Sequence, residues 1–275
     1  MSAAVPRSPR VPRDRVAPSP TPPSGREGRP PPEARRAAPA PVWLFDLDNT
    51  LHDASHAAFG ELHVAMADYV GAHLGVDVEE AGRLRERYWL RYGATLLGLV
   101  RHHGVRAAHF LEETHRLPGL EARLRTSAHD RAALARLRGR KFIVTNAPRA
   151  YAMRVLTTLR LLRHVDGVVT IEDMAMFGAL RPKPDARMLR RVAARLKAPA
   201  SRCILVEDTL THLKAARSVG MRAVWMRRYL DGRFRGSRRD LANAGLASPA
   251  KGRRSCPKPP YLYAKIGALR HLARF

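Results

Sequence analysis

One run constrains the fold of this chain more than any other: Pro41-Val42-Trp43-Leu44-Phe45-Asp46-Leu47-Asp48-Asn49-Thr50-Leu51. Four apolar residues lead into two carboxylates spaced i, i+2, and a polar turn follows. An unbroken apolar run closed by Asn-Thr reads as a strand buried on both faces, as in parallel sheets. Side chains two apart on a strand point to the same side. Asp46 and Asp48 are therefore expected to leave the C-terminal end of the strand together, in the crevice where open α/β sheets bind ligands. Two carboxylates held side by side repel unless a cation or a shared proton offsets the charge. A D-x-D pair could also close a strand in a solvated turn, and the rest of the chain decides between these readings.

Downstream of this strand, residues 54–125 carry apolar residues at helical spacing, among them Leu62, Met66, Tyr69, Val70, Leu84, Tyr88, Tyr92 and Val100, with glycines between the segments. Nothing strand-like interrupts them, so they read as a helical insertion. From 126 onward the pattern is regular β/α alternation. Strands are expected at 141–145, 167–171, 203–206 and 222–226, with helices at 129–138, 148–162, 186–197 and 210–219. Asp185 suits a helix N-cap. A late strand at 261–266 and a terminal helix at 267–274 complete the reading. Apolar strands alternating with helices mean a Rossmann-like parallel sheet covered on both faces. The α/β core then comprises 41–53 and 126–275, with 54–125 inserted after the first strand as an α-helical cap.

Two basic segments flank this core. Residues 1–40 are rich in Pro and Arg, with almost no aliphatic side chains, and cannot bury enough apolar surface to offset their ordering entropy. They read as a disordered tail, and 231–257 as a basic loop. The net charge of +26 invites a nucleic-acid reading. Yet the cations are mostly Arg and are scattered over every helix, so salt-sensitive adhesion to polyanions is expected but no specific nucleic-acid recognition. No stretch approaches ~18 consecutive apolar residues, so no membrane span is expected, and no secretory signal is expected at the N-terminus. The two cysteines, Cys203 and Cys256, form no disulfide framework or thiolate metal site, which fits a reducing cytoplasm. The pattern is silent on oligomeric state.

The chemistry gathers at the strand ends. Asp46 and Asp48 close the first strand, Thr145-Asn146 the second, and Glu207-Asp208 a later one, while Lys183 sits in a Pro-flanked loop. In a parallel sheet these ends share one edge. Hard oxygen ligands without a His or Cys partner favour Mg²⁺ over zinc. Thr145 and Lys183 can donate to a phosphate-like anion. The set therefore points to phosphoryl chemistry, where catalysis is largely positioning and charge neutralisation.

These residues resemble, in order, the four motifs of haloacid dehalogenase-type phosphohydrolases: Phe45-Asp46-Leu47-Asp48-Asn49-Thr50-Leu51, Val144-Thr145-Asn146, Arg181-Pro182-Lys183-Pro184 and Val206-Glu207-Asp208-Thr209. The resemblance implies that Asp46 is the nucleophile and forms an aspartyl-phosphate. Asp48 would protonate the leaving alkoxide and then activate water. Thr145 would hydrogen-bond the transferring phosphoryl group beside the Asn146 amide. Lys183 would neutralise phosphoryl oxygens and hold Asp46. Mg²⁺ would sit between the Asp46 carboxylate, the Asp48 backbone carbonyl and Asp208, with Glu207 as a flanking acid. True dehalogenases lack the second aspartate, so Asp48 favours a phosphatase or mutase. One departure stands out: His212 occupies the position four after Asp208, where many relatives carry Asp or Asn.

The helical insertion resembles the cap at the family's first insertion point, which favours small soluble phosphoesters. Within it, Arg83–Leu96 and Gly98–His103 resemble the pyrimidine 5′-nucleotidase branch. The resemblance thus implies an Mg²⁺-dependent phosphomonoesterase for a small phosphorylated metabolite, with a pyrimidine nucleoside 5′-monophosphate such as UMP or CMP as the leading substrate. The alternatives are a sugar-phosphate or phosphoglycolate phosphatase, a phosphomutase, or a non-catalytic phospho-ligand or nucleic-acid binder. His52, directly after the first motif, is expected to face substrate.

Overall fold

A computed structural model describes Met1 and residues 40–230 and 257–275. The tail read at 1–40 and the basic loop read at 231–257 fall almost wholly outside the described residues. The apolar runs form β1 (Val42–Phe45), β2 (Arg140–Val144) and β3 (Gly167–Val169), a short hairpin of β4 (Ala175–Met176) and β5 (Ala179–Leu180), and then β6 (Cys203–Glu207), β7 (Arg222–Met226) and β8 (Ala264–Ile266). Six of them make one parallel sheet in the order β3-β2-β1-β6-β7-β8. The chain steps outward from β1 to β3 and then returns to the other side of β1. This reversal is a topological switch point, and the crevice it opens lies at the C-terminal ends of β1 and β6.

Both faces of the sheet are covered, so the strands are apolar without interruption. On one face Trp43 and Phe45 pack with Tyr151, Ala152, Val155 and Leu156 of α8 (Arg149–Thr158), and with Leu134 of α7 (Ala128–Arg136). On the other, Val42 and Leu44 pack with Met188, Leu189 and Val192 of α9 (Ala186–Arg195) and Leu213 of α10 (Leu210–Ser218). Each large apolar side chain fully buried this way stabilises the fold by ~1.5–3 kcal/mol. The two layers hold the strand ends firmly enough to carry charged groups. Asp185 caps α9, its Oδ1 accepting from the Arg187 and Met188 amides at 2.8 and 3.3 Å.

Between β1 and β2 lie α1 (Ala54–Ala57), α2 (Phe59–Leu74), α3 (Val78–Tyr92), α4 (Thr95–His103), α5 (Ala107–Thr114) and α6 (Leu120–Arg123). Tyr69, Val70, Leu84, Tyr88, Leu96, Leu99 and Phe110 of α2 to α5 form an apolar cluster that also takes in Ile171 from beyond β3. Ala57, Leu117, Leu120 and Leu124, at the two ends of this segment, pack with the sheet instead. Gly98 on α4 is where α3 comes closest: a Cβ there would stand 2.1 Å from the Tyr88 ring. Val100, one of the apolar residues read at helical spacing, is exposed.

Four elements depart from the sequence expectation. The third strand stops at Val169, because Thr170 and Asp173 form a capping box that starts a 3₁₀ turn. The late strand begins only at Ala264, and the terminal helix is a 3₁₀ helix at Leu269–Arg274. The β4–β5 hairpin lies in what reads as a loop. Among the described residues, no helix is long and apolar enough to cross a membrane.

Candidate active site

The strand register assembles the site. Phe45 is paired with both Ile143 and Val206. Asp46, Thr145 and Glu207 therefore leave the sheet at one edge. The Asp46 amide still donates to the Val206 carbonyl at 3.0 Å, and the Thr145 amide to that of Val169 at 3.0 Å. Both side chains are buried. Thr145 Oγ1 accepts from the Ala147 amide at 3.0 Å, which fixes the turn after β2.

Lys183 is the hub. It is 1% exposed, and its Nζ donates to Asp46 Oδ1 at 2.6 Å and to Glu207 Oε2 at 2.7 Å. Its loop is held by Asn146, whose side-chain amide exchanges two 2.9 Å hydrogen bonds with the Lys183 backbone. The end of β2 thus positions the lysine through Asn146. Glu207 uses its other oxygen, Oε1, to accept from the Asp208 and Thr209 amides at 3.2 and 3.1 Å. Asp208 is pinned from behind, since Trp225 Nε1 donates to its carbonyl at 2.9 Å.

Asp46, Glu207 and Asp208 each offer a carboxylate oxygen within 4.8 Å of the others. Three acids against one ammonium leave excess negative charge, and the titration of each group responds. Burial, and then Glu207, push the Asp46 carboxyl up to about 7 against the pull of Lys183. Burial, Glu207 and Asp46 raise Asp208 well above the carboxylate range. Burial would raise Glu207 too, but Lys183 and then His212 outweigh it and hold its carboxyl low. Burial alone would lower Lys183, yet Asp46 and Glu207 raise it and keep it charged. An all-oxygen, negatively unbalanced cluster fits a hard divalent cation such as Mg²⁺. Glu207 is already committed to Lys183 and two amides, so Asp46 and Asp208 are the acids with oxygens left for a metal.

Asp48 is arranged differently. Its carboxylate is outside the acidic cluster. Its Oδ1 receives the Tyr151 hydroxyl at 2.7 Å and lies 2.9 Å from His52 Nε2. His52, expected to face substrate, is fully buried. A bridge between Asp48 and His52 closes the polar turn on itself and draws the imidazole inward onto the carboxylate. Tyr151 escapes a sequence reading, because the contact spans |i−j|=103. The signal available was a hydroxylated aromatic in the first turn of the helix that follows the second motif. Burial, and then the Asp48 carboxylate, push its phenol far up, so it stays a donor.

His212, the departure at the fourth motif, lies with Nδ1 3.1 Å from Glu207 Oε2. That is close enough for charge attraction, but the atom is not aligned for a hydrogen bond. The histidine thus approaches the same Glu207 oxygen that Lys183 bonds.

The helical segment between β1 and β2 approaches the site through Gly93, which has φ 80°, and a Cβ there would stand 3.0 Å from Pro184 Cδ, next to Lys183. Tyr88 is buried within that segment and bonds His103 at 2.6 Å, while Tyr92 bonds His102 at 2.6 Å and Tyr69 bonds His109 at 2.9 Å. A cleft of about 440 Å³ opens between α5 and the start of α8, lined by residues that include His115, Arg116, Pro148, Arg154 and Glu172. The His115 ring on its wall packs edge-on against Tyr151, with centroids 5.8 Å apart.

The model of the haloacid dehalogenase-like hydrolases matches residues 42–220. Phosphate metabolism protein 8 of Saccharomyces cerevisiae is 26% identical over 195 residues, which cover 66% of this chain and 59% of that protein. The chain thus spans about 59% of the length of this curated relative. Among solved structures, a HAD phosphatase from Thermococcus onnurineus aligns with a TM-score of 0.53 at 21% identity, covering 85% of this chain and 96% of its own. CbbY from Rhodobacter sphaeroides, in complex with phosphate, aligns at 0.51 and 19%, covering 85% and 96%. The HAD-hydrolase YfnB from Bacillus subtilis, bound to magnesium, aligns at 0.51 and 16%, covering 86% and 97%. At these identities the structures share the fold, whereas the family match extends over most of the chain and contains every motif residue described above. The chain belongs to the haloacid dehalogenase-like hydrolases.

Proposed function

We propose that the chain is an Mg²⁺-dependent phosphomonoesterase that acts on a small phosphorylated metabolite, with a pyrimidine nucleoside 5′-monophosphate as the leading substrate. The observation that carries this reading is the Asp46–Lys183–Glu207 bridge, which leaves Asp208 beside the nucleophile with no ammonium of its own. Asp46, Asp208 and the Asp48 backbone carbonyl would hold Mg²⁺, which supplies neutralisation of phosphoryl oxygen charge when bound. Asp46 attacks phosphorus and the bond to the ester oxygen breaks. Asp48 gives its proton to the departing alkoxide, and as a carboxylate it then takes a proton from the water that attacks the aspartyl-phosphate. Lys183 and Thr145 donate to the phosphoryl oxygens, so charge is balanced in a buried site where such contacts are strongest.

The organic part of the ester would lie in the cleft between α5 and α8, whose polar wall of Arg116, Arg154 and Glu172 suits a hydroxylated or heterocyclic group. The pyrimidine reading rests on the Arg83–Leu96 and Gly98–His103 blocks and on the nearness of Gly93 to the Lys183 loop. Tyr88 is committed to the cap core and would not stack on a base. The test is phosphate release from a panel of nucleoside, sugar and two-carbon monophosphates, with and without Mg²⁺. Release from UMP or CMP above the rest, dependent on Mg²⁺, is expected. A preference for sugar phosphates or phosphoglycolate would move the substrate to that class, and no release from any ester would overturn the proposal.

A further inference from the structure

The proposed acid–base residue carries two hydrogen-bond partners on one oxygen. Tyr151 Oη and His52 Nε2 both converge on Asp48 Oδ1, at 2.7 and 2.9 Å. No described residue donates to Oδ2. Both partners are almost sealed from solvent, Tyr151 at 3% and His52 at 0% exposure, whereas the Asp48 side chain keeps 18%. They also come from different parts of the fold. Tyr151 is fixed by α8 against the sheet, with Ala152, Val155 and Leu156 in the same apolar layer. His52 is fixed by the polar turn after β1. When His52 donates from Nε2, its buried Nδ1 is left without a partner among the described residues. Leaving a buried polar atom unpaired is costly, so this arrangement favours holding the carboxylate over satisfying the ring.

We propose that Tyr151 is a positioning residue for proton transfer. Together with His52 it fixes the Asp48 carboxylate by Oδ1, so that Oδ2 is the oxygen that carries the proton to the leaving group. The proposal rests on the phosphomonoesterase reading, because it assigns a task to a proton that only ester cleavage needs. An alkoxide leaves poorly and must be protonated as the P–O bond breaks, whereas a nitrophenolate leaves without help. A misplaced Asp48 should therefore penalise alkyl esters and spare the nitrophenyl ester.

The experiment measures kcat/KM, which covers the steps up to the phosphoenzyme, for wild type and Tyr151→Phe on p-nitrophenyl phosphate and on the best alkyl phosphate of the panel. The expected result is a loss of at least about tenfold on the alkyl ester, part of the ~10²–10⁴ that general acid–base catalysis contributes, with less than about threefold lost on the nitrophenyl ester. Both esters are assayed on one preparation, so their ratio is independent of the folded fraction. Equal losses on the two esters, or no loss on either, would overturn the proposal alone. A wild type inactive on both would overturn the phosphomonoesterase reading and this proposal with it.

Discussion

Replacing Lys183 with Met tests whether the acidic cluster depends on this ammonium for its charge balance. Lys183 is 1% exposed and touches Asp46 at 2.6 Å and Glu207 at 2.7 Å. Methionine keeps most of the volume but removes both contacts and the ammonium that balances the carboxylates. Breaking a buried pair from one side costs about 3–5 kcal/mol, which for a chain of this size lowers Tm by about 6–20 °C. The cost should depend on pH. Asp46 is already raised from 3.8 to about 7 by burial and then Glu207. Its folded form therefore holds a proton that the unfolded form has lost. Stability from that proton is fully present below 3.8 and is lost as pH rises through about 7. Lys183 lowers both Asp46 and Glu207, so its removal moves both acids upward. The deficit of Lys183→Met should be largest near about pH 8 and shrink toward about pH 5, as the acids take up protons. Thermal unfolding of chelator-treated wild type and variant at both pH values reads this directly. An equal Tm at the higher pH, or a deficit unchanged between the two, would refute the charge argument.

Other expectations follow from single observations. Gly98→Ala should destabilise by ~1–3 kcal/mol, as overpacking does, because its Cβ would lie 2.1 Å from Tyr88; unchanged thermal stability would mean that α3 and α4 separate easily. Mg²⁺ at 100-fold over its dissociation constant should stabilise the protein by about 2.7 kcal/mol, seen as a rise in Tm, and Asp208→Asn should abolish most of that rise. Glu121 is held down to about 2, chiefly by its hydrogen bonds from Arg154. Its stabilising contribution is present above its ordinary 4.5 and is lost as pH falls through about 2. The pair is half exposed, so Glu121→Gln should cost less than ~1 kcal/mol in denaturant unfolding at neutral pH.

The parallel sheet was legible because buried strands announce themselves as apolar runs, and Asp46, Asp48 and Asp208 because each ends such a run. What stayed hidden was held by contacts between distant parts of the chain. Tyr151 reaches across |i−j|=103 to Asp48, and nothing local to either residue reports that pairing. The Lys183–Asp46 contact, across |i−j|=137, is just as distant and is expected only through the resemblance of the Arg181-Pro182-Lys183-Pro184 motif. His52 sits beside the first motif, and its contact with Asp48 is set by the way the turn folds. The β4–β5 hairpin is too short for any period-two signal, and only the turn residues Phe177 and Gly178, with φ 50° and 73°, mark it. Glu207 reads as an acid flanking Asp208, and its particular task, sharing Lys183 with Asp46, is visible only in the fold.

In the proposed mechanism Asp46 takes the phosphoryl group. Acid quenching during turnover of the best substrate, followed by peptide mass analysis, measures this directly. A phosphoryl group is expected on the peptide containing Asp46, disappearing with substrate, and neither that species nor measurable turnover is expected in Asp46→Asn. Phosphorylation at another residue, or wild-type rates in Asp46→Asn, would contradict it.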